Sequence, residues 1–258
     1  MSTMSNEMLK VSGLQMRFGG LLAVDGIEFD VRRDEVFAII GPNGAGKTTV
    51  FNCVGGFYKP TAGEVTLDGQ SIARKPSHVV ARHGLVRTFQ NIRLFRQLTV
   101  VENLMVAQHQ QVKAGLLRGL LATPAYRRSE REALERAAQW LERMGLTSVA
   151  NREAGTLSYG HQRRLEIARC MITKPRLLML DEPAAGLNPQ EKIELQQLID
   201  GLRREFNISV LLIEHDMSLV MGVSDRILVM EHGKPIMIGK PDEVRNDPRV
   251  IKAYLGED

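Results

Sequence analysis

The segment GPNGAGKTT, at residues 41–49, contains the residue types that bind phosphate groups. It matches the spacing GxxxxGK(S/T), in which small residues let several backbone N–H groups point at phosphate oxygens. Lys47 can reach the outer phosphates, and the hydroxyl of Thr48 can ligate Mg²⁺. We therefore expect a nucleotide site that consists of Gly41, Pro42, Asn43, Gly44, Ala45, Gly46, Lys47, Thr48 and Thr49.

A pair of carboxylates ends the apolar run Leu177–Leu180 and offers the second half of this chemistry. We expect Asp181 to hold Mg²⁺, and Glu182 to orient a water molecule and take its proton during attack on a γ-phosphate. Many strands end in acidic residues, so the pair alone is a weak signal. Together with the phosphate loop it indicates a nucleoside triphosphatase.

Local patterns predict the elements that position these residues. Residues 8–37 alternate apolar and polar positions around a Gly19–Gly20 turn, which predicts antiparallel strands. Val36–Ile40 predicts a strand buried on both faces, and a helix should run from Lys47 to about Gly55. The phosphate loop thus has the strand before it and the helix after it that such loops require.

Residues 99–145 have apolar positions at helical spacing and predict a helical lobe between the sheet-forming segments. A further helix should begin at Thr156–Ser158 and end at Lys174–Pro175, because a residue before proline disfavours the helical conformation. Leu177–Leu180 and Ile208–Ile213 predict two more buried strands. The segment 111–128 is apolar with basic flanks; it either faces a membrane subunit or packs on its own lobe.

The composition limits the class of protein. The chain has 258 residues, 43% of them apolar and 25% charged, as in globular proteins that bury a core. The net charge is +4, and the sequence contains no basic run of the kind typical of a nucleic-acid binder. Cys53 and Cys170 lie in apolar surroundings, which favours core thiols over a disulfide. We see neither a signal peptide nor the roughly 20 apolar residues of a membrane span, so any membrane contact should arise by docking.

The segment LSYGHQ, at residues 157–162, resembles the LSGGQ signature of ABC ATPases. Other motifs of that family occur in the same order along essentially the whole chain. The resemblance implies an α/β fold with a RecA-like P-loop core, an antiparallel β subdomain and an inserted helical subdomain. It implies one ABC ATPase domain over residues 1–258, with a core of 1–90 and 161–258 and a helical subdomain of 91–160 that carries the signature.

The resemblance also implies roles for single residues. Phe18 would stack on adenine, although a lone phenylalanine more often packs in a core than stacks on a base. Gln90 would sense Mg²⁺ and the attacking water, and His215 would contact the γ-phosphate. The signature residues would face ATP held by a partner subunit, because the N–H groups at a helix start attract an anion. The catalytic set is then Glu182, His215 and Gln90, the Mg²⁺ set Thr48, Gln90 and Asp181, and the signature set Ser158, Tyr159, Gly160 and His161.

Three positions depart from the family pattern. Tyr159 replaces a signature glycine and His161 replaces its glutamine, while Ser158 and Gly160 remain, so the anion-facing backbone should survive. Asn188 stands at the end of the D-loop, where aspartate is usual, which leaves its contact across a dimer open.

Longer stretches, among them RFGGLLAVDGIEF, LDEPAAGLNP and IEHDM, resemble the LivG-type ATPases of bacterial branched-chain amino-acid importers. This resemblance implies ATP and Mg²⁺ as cofactors and a place on the cytoplasmic face of the inner membrane. The implied partners are a second ATPase of the LivF type, two permease subunits and, indirectly, a periplasmic binding protein, without nucleic acid. One alternative is the ATPase of another ABC system, which imports other amino acids or urea or exports lipopolysaccharide. The other is a soluble ABC ATPase of repair or translation.

Overall fold

The computed structural model describes residues 6–108 and 124–255. They form two compact units, one from the described residues of Met1–Arg87 and Arg176–Asp258, the other from those of Thr88–Pro175. The predicted helical subdomain of residues 91–160 lies within the second unit. That unit extends beyond residue 160 because the helix that begins at Tyr159 continues to Met171.

The strands of the described residues belong to the first unit. They are β1 Glu7–Phe18, β2 Leu21–Arg32, β3 Val36–Ile40, β4 Ala62–Leu67, β5 Gln70–Ser71, β6 Leu85–Arg87, β7 Leu177–Asp181, β8 Ser209–Ile213, β9 Arg226–Glu231 and β10 Lys234–Gly239. One sheet has the order β2-β1-β4-β5 and is antiparallel. The other has the order β10-β9-β3-β8-β7-β6 and is parallel except for β10.

The central strands β3, β7 and β8 are buried along their whole length, as strands covered on both faces must be. Their side chains share a core with the antiparallel sheet: Leu9, Val11 and Leu14 belong to the same buried cluster as Phe37 and Ile39. Since parallel strands align their carboxyl ends, the residues that follow β3, β7 and β8 lie along one edge of this sheet.

The helices of the first unit are α1 Lys47–Val54, α2 Ser77–Arg82, α6 Pro189–Phe206, α7 Met217–Val223, α8 Pro241–Asn246 and α9 Pro248–Leu255. Those of the second unit are α3 Val100–Ala107, α4 Pro124–Arg143 and α5 Tyr159–Met171, with 3₁₀ turns at Thr147–Val149 and Ala154–Thr156. A capping box of Thr99 and Glu102 begins α3. None of the helices within residues 6–108 and 124–255 has both the length and the apolar character that a bilayer crossing needs.

Several sequence predictions are confirmed. Strand β3 has the predicted bounds, β7 and β8 differ from prediction by one residue at one end, and Gly19–Gly20 forms the turn of the β1-β2 hairpin. The cysteines Cys53 and Cys170 are buried thiols, and burial raises the pKa of each to about 12. The part of the segment 111–128 up to residue 123 lies outside the described residues.

Two sequence predictions were wrong in detail. The helix expected to reach Lys174–Pro175 ends at Met171. The N–H groups of Thr173 and Lys174 bond only three residues back, to the carbonyl oxygens of Cys170 at 3.2 Å and Met171 at 2.9 Å, and Lys174 adopts a φ of 57°. The antiparallel pattern expected through residue 37 ends at Arg32. Asp34, with a φ of 57°, turns the chain there, and the next strand pairs in the parallel sheet.

Candidate active site

The phosphate loop connects β3 to α1 and curls tightly. Gly41, Gly44 and Gly46 have φ values of 148°, 81° and 94°, which glycine adopts without strain. A Cβ at Gly41 would lie 2.1 Å from the carbonyl oxygen of Met230, and one at Gly46 would lie 2.8 Å from that of Ala23. Both positions therefore need glycine for space as well as for backbone direction.

Lys47 is the first residue of α1, and its side chain folds back over the loop. Nζ donates to the carbonyl oxygens of Gly41 at 2.6 Å and Pro42 at 2.9 Å. The residue is 8% exposed, and this burial lowers the pKa of the ammonium group, an effect that the negative charge of Glu182 opposes. A cation held in this way by the loop itself is already placed for phosphate oxygens.

A cleft of about 430 Å³ lies beside the loop. Its lining is Leu21, Leu22, Ala23, Asn43, Gly44, Ala45, Gly46, Lys47, Thr48, Thr49, Glu182 and His232. The structure thus brings most of the predicted nucleotide-binding residues together with the predicted base. Phe18 lies outside this lining, but it pairs across the hairpin with Leu21, which belongs to it. Phe18 is 43% exposed, and its ring packs edge-on against that of Tyr58, with 5.4 Å between centroids.

Asp181 and Glu182 occupy different environments at the end of β7. Asp181 is buried and accepts a hydrogen bond from Nη2 of Arg87 at 2.6 Å. Glu182 lines the cleft, and its backbone adopts a left-handed conformation with a φ of 45°. Its N–H donates to the carbonyl oxygen of Ile213 at 2.9 Å, which ties it to the end of β8.

The predicted histidine lies beside the predicted base. Nδ1 of His215 is 3.8 Å from Oε2 of Glu182 and 3.6 Å from Oε2 of Glu214. The His215 side chain is 61% exposed, whereas the side chain of Glu214 is fully buried. The first unit therefore presents an exposed imidazole next to the carboxylate at the cleft.

Gln90 and the signature belong to the second unit, where a buried ion pair on α5 holds the Gln90 loop. Arg163 pairs with Glu166 at 2.8 Å and donates to the carbonyl oxygens of Phe89 at 3.0 Å and Gln90 at 3.2 Å. Glu166 accepts the N–H groups of Phe89 and Arg93 at 3.4 and 3.1 Å. Burial raises the pKa of Glu166, and the Arg163 charge and these N–H groups oppose the shift.

The signature residues form the start of α5. Ser158 is the N-cap of this helix, and its Oγ accepts the N–H of His161 at 3.4 Å. The hydroxyl of Tyr159, which stands where the family has glycine, accepts from Nη2 of Arg163 at 3.2 Å. Ser158 and Tyr159 are exposed, while Gly160 and His161 are partly buried. The helix start therefore keeps its cap and stays accessible despite both departures.

The third departure also has a local explanation. Asn188 is the N-cap of α6, where Oδ1 accepts the N–H of Glu191 at 2.9 Å and the Glu191 carboxylate accepts the N–H of Asn188 at 2.9 Å. Asparagine and aspartate are equally good N-caps, so Asn188 maintains the start of α6.

Sequence reasoning missed Arg87, Glu214 and the Arg163–Glu166 pair. An acidic residue immediately after a buried strand and before His215 was the signal that could have identified Glu214. The other three side chains carried no such signal, because a lone arginine and an i, i+3 charge pair are typical of a solvated surface.

Comparisons with known proteins agree with this geometry. The profile of the ABC transporter family matches residues 24–185, and that of the branched-chain amino acid ATP-binding cassette transporter matches residues 234–258. The high-affinity branched-chain amino acid transport ATP-binding protein BraF of Pseudomonas aeruginosa is 62% identical over 254 residues, which cover 98% of this chain and 100% of BraF. The corresponding protein LivG of Escherichia coli is 61% identical with the same coverage.

Solved structures give the same result. An ATP-binding cassette of an ABC transporter in its ADP conformation matches with a TM-score of 0.85 and 32% identity, over 97% of this chain and 99% of that one. A nucleotide-free ATP-binding cassette from an ABC transporter matches with a TM-score of 0.84 and 32% identity, over 97% and 100%. The chain therefore belongs to the ATP-binding cassettes of ABC transporters, among the branched-chain amino acid transport ATP-binding proteins.

Proposed function

We propose that this chain hydrolyses ATP to drive the uptake of leucine, isoleucine and valine through an ABC importer. The observation that carries the proposal is the cleft of the first unit, where Lys47 and Glu182 share a lining with the backbone of residues 43–49. A buried cation among curled backbone N–H groups suits a triphosphate, and a carboxylate beside it suits the attacking water. The similar cassette in an ADP conformation supports a nucleotide as the ligand.

The proposed reaction is an in-line displacement at the γ-phosphorus. The oxygen of water bonds to phosphorus while the bond from phosphorus to the bridging oxygen of ADP breaks. Glu182 takes the proton that the water loses, and Lys47 balances the charge on the phosphate oxygens. His215 and Gln90 orient the γ-phosphate and the water in this proposal, and Phe18 takes the adenine ring.

The donors proposed for Mg²⁺ suit that ion. Thr48, Gln90 and Asp181 offer oxygen atoms, the ligands that Mg²⁺ prefers. Within residues 6–108 and 124–255 there is no cluster of three or more His, Cys, Asp and Glu residues that could hold a metal. In this proposal these side-chain oxygens, the nucleotide phosphates and water would hold Mg²⁺. Bound Mg²⁺ would neutralise phosphate charge, and Arg87 keeps the Asp181 carboxylate in place.

Branched-chain amino acids are the proposed cargo because the profile matched at residues 234–258 and the names of the similar proteins specify them. These names support that cargo over urea or lipopolysaccharide. The chain would lie on the cytoplasmic face of the inner membrane, against two permease subunits. A periplasmic binding protein would deliver the amino acid to these permease subunits. It would pair with a second ATPase of the LivF type, with Ser158–His161 facing ATP held by that partner.

Two substitutions in the assembled importer separate binding from catalysis. Glu182→Gln keeps the shape of the side chain and removes the base, so we expect near-normal ATP binding and turnover about 100- to 10,000-fold lower. Lys47→Ala removes the phosphate-binding cation and should weaken ATP binding itself. Near-normal turnover by Glu182→Gln, or no ATP hydrolysis by the unmodified complex, would contradict the proposed function.

A further inference from the structure

Glu214 is a buried carboxylate between the two segments that carry the proposed catalytic residues. It follows the last residue of β8 and is fully buried, next to the exposed His215. Oε1 accepts the N–H of Ala184 at 2.8 Å, and Oε2 accepts the N–H groups of His215 at 2.8 Å and Asp216 at 3.0 Å. One side chain thus satisfies three backbone donors on two loops that lie 30 residues apart in sequence.

A second contact, nearer the surface, joins the His215 loop to helix α6, which follows the loop of Ala184. Asp216 caps α7 by accepting the N–H of Leu219 at 3.0 Å, and its other oxygen pairs with Nζ of Lys192 on α6 at 2.5 Å. The ion pair raises the pKa of Lys192 and lowers that of Asp216. The segment from Glu182 to Lys192 is therefore linked at two points to the segment that begins at Glu214.

The backbone of Glu182 needs this support. Its φ of 45° is unfavourable for a residue that has a Cβ, and such conformations persist where the surroundings hold them. One anchor is the Glu182 N–H bond to the carbonyl oxygen of Ile213, and the next is the Ala184 N–H bond to Glu214. Loss of the second anchor would let this turn relax and would move the Glu182 carboxylate.

We propose that Glu214 is a positioning residue for ATP hydrolysis, which fixes the loop of Glu182 against the loop of His215. This inference rests on the ATPase function proposed above. All three partners of Glu214 are donors, so the arrangement needs two accepting oxygens, as an ionised carboxylate has. A glutamine would direct its NH₂ group at one of these N–H groups and leave that donor unpaired.

The test is Glu214→Gln in the assembled importer, measured below its melting temperature. We expect kcat to fall roughly 10- to 100-fold, as when a catalytic group is misplaced slightly, while the affinity for ATP stays close to normal because Lys47 is untouched. Glu64→Gln is the matched control, since it removes an exposed glutamate of the same unit, and its kcat should be normal. A normal kcat in Glu214→Gln would overturn the inference.

A double substitution distinguishes positioning from general weakening of the fold. Because Glu214 is proposed to act through His215 and Glu182, adding Glu214→Gln to His215→Ala should slow hydrolysis less than it slows the unmodified complex. Fully multiplicative effects would show that Glu214 acts independently and would overturn the inference.

Glu214→Asp covers the case in which the glutamine variant does not fold. Aspartate remains an accepting carboxylate but is one methylene shorter, so it cannot serve both Ala184 and the His215 side at their present distances. We expect a lowered kcat with unchanged ATP affinity. A normal kcat would overturn the inference and leave the ATPase function standing, whereas an unmodified complex without hydrolysis would instead overturn the function.

Discussion

Arg87 is the cation that pairs with Asp181, the last residue of β7. Its side chain is 7% exposed and that of Asp181 is 6% exposed, so their 2.6 Å contact is shielded from water. Nη1 donates to Oδ1 of Asn52 at 2.7 Å, and the guanidinium lies over the rings of Phe51 and Phe57, with 5.4 and 4.9 Å to their centroids. These contacts hold the Arg87 guanidinium in one position beside the Asp181 carboxylate.

We expect Arg87→Met to lower the free energy of unfolding by about 3 kcal/mol, because it leaves a carboxylate buried without its cation. Urea unfolding near pH 7 measures the change. Arg82→Met, which removes an exposed arginine of the same unit, should change the free energy by less than about 0.5 kcal/mol. If the urea unfolding curves of the two variants had the same midpoint and slope, the Arg87–Asp181 contact would not contribute to the stability of the fold.

At this scale the sequence identified the residues that belong to spaced motifs. Lys47 and Glu182 were predicted from their motifs, and the structure places both at one cleft. Arg87 could not be found in this way, since β6 has three residues, too few to show a periodic pattern. The position of Glu214 after a buried strand was a signal, but its contact with Ala184 could not be predicted, because that donor lies 30 residues earlier in the chain.

Helix α5 is the element that organises the second unit around the Gln90 loop. Arg163 and Glu166 both face this loop, and together they contact backbone groups of Phe89, Gln90 and Arg93. The start of α5 was predictable, because Ser158 is a typical N-cap. The burial of its charged pair was not, since it depends on a loop that precedes the helix by about 70 residues.

We expect Arg163→Met to loosen the Gln90 loop, because the Glu166 carboxylate loses its cation and the loop loses two donors. Amide hydrogen exchange at Phe89 and Arg93, both of which donate to Glu166, should become about tenfold faster or more. The control Arg128→Met removes an exposed arginine on α4. If both variants exchanged at the rate of the unmodified chain, the ion pair would have no role in holding the loop.

An ATPase subunit of a transporter must transmit the change between ATP-bound and ADP-bound states to a permease. We propose that the segment Asn91–Leu98, which directly follows Gln90, is the docking site for that permease. Arg93, Phe95 and Arg96 within it are exposed. An exposed phenylalanine among arginines suits a partner that offers an apolar pocket. Gln90 would then connect the nucleotide and the permease through a loop whose base α5 holds.

We expect binding protein that carries leucine, isoleucine or valine to raise the ATPase rate of the complex in vesicles several-fold. Binding equilibria couple reciprocally, so a loaded binding protein should favour the closed, ATP-bound state. Arg96→Ala should reduce this stimulation more than it reduces the basal rate, whereas the control Arg82→Met should reduce neither. Equal stimulation by unrelated solutes would remove the cargo assignment and leave the ATPase assignment in place.

The two cysteines of the sequence provide one label for each compact unit. Cys53 lies on α1, the helix that follows the phosphate loop, and Cys170 lies near the end of α5. A thiol with a pKa of about 12 reacts negligibly near pH 7 while it is buried, so an alkylating reagent modifies it only when its surroundings open. Alkylation rates at Cys53 and Cys170 therefore report the opening of the two units separately. Peptide mass spectrometry with and without ATP would show which unit the nucleotide stabilises, and we expect the larger slowing at Cys53.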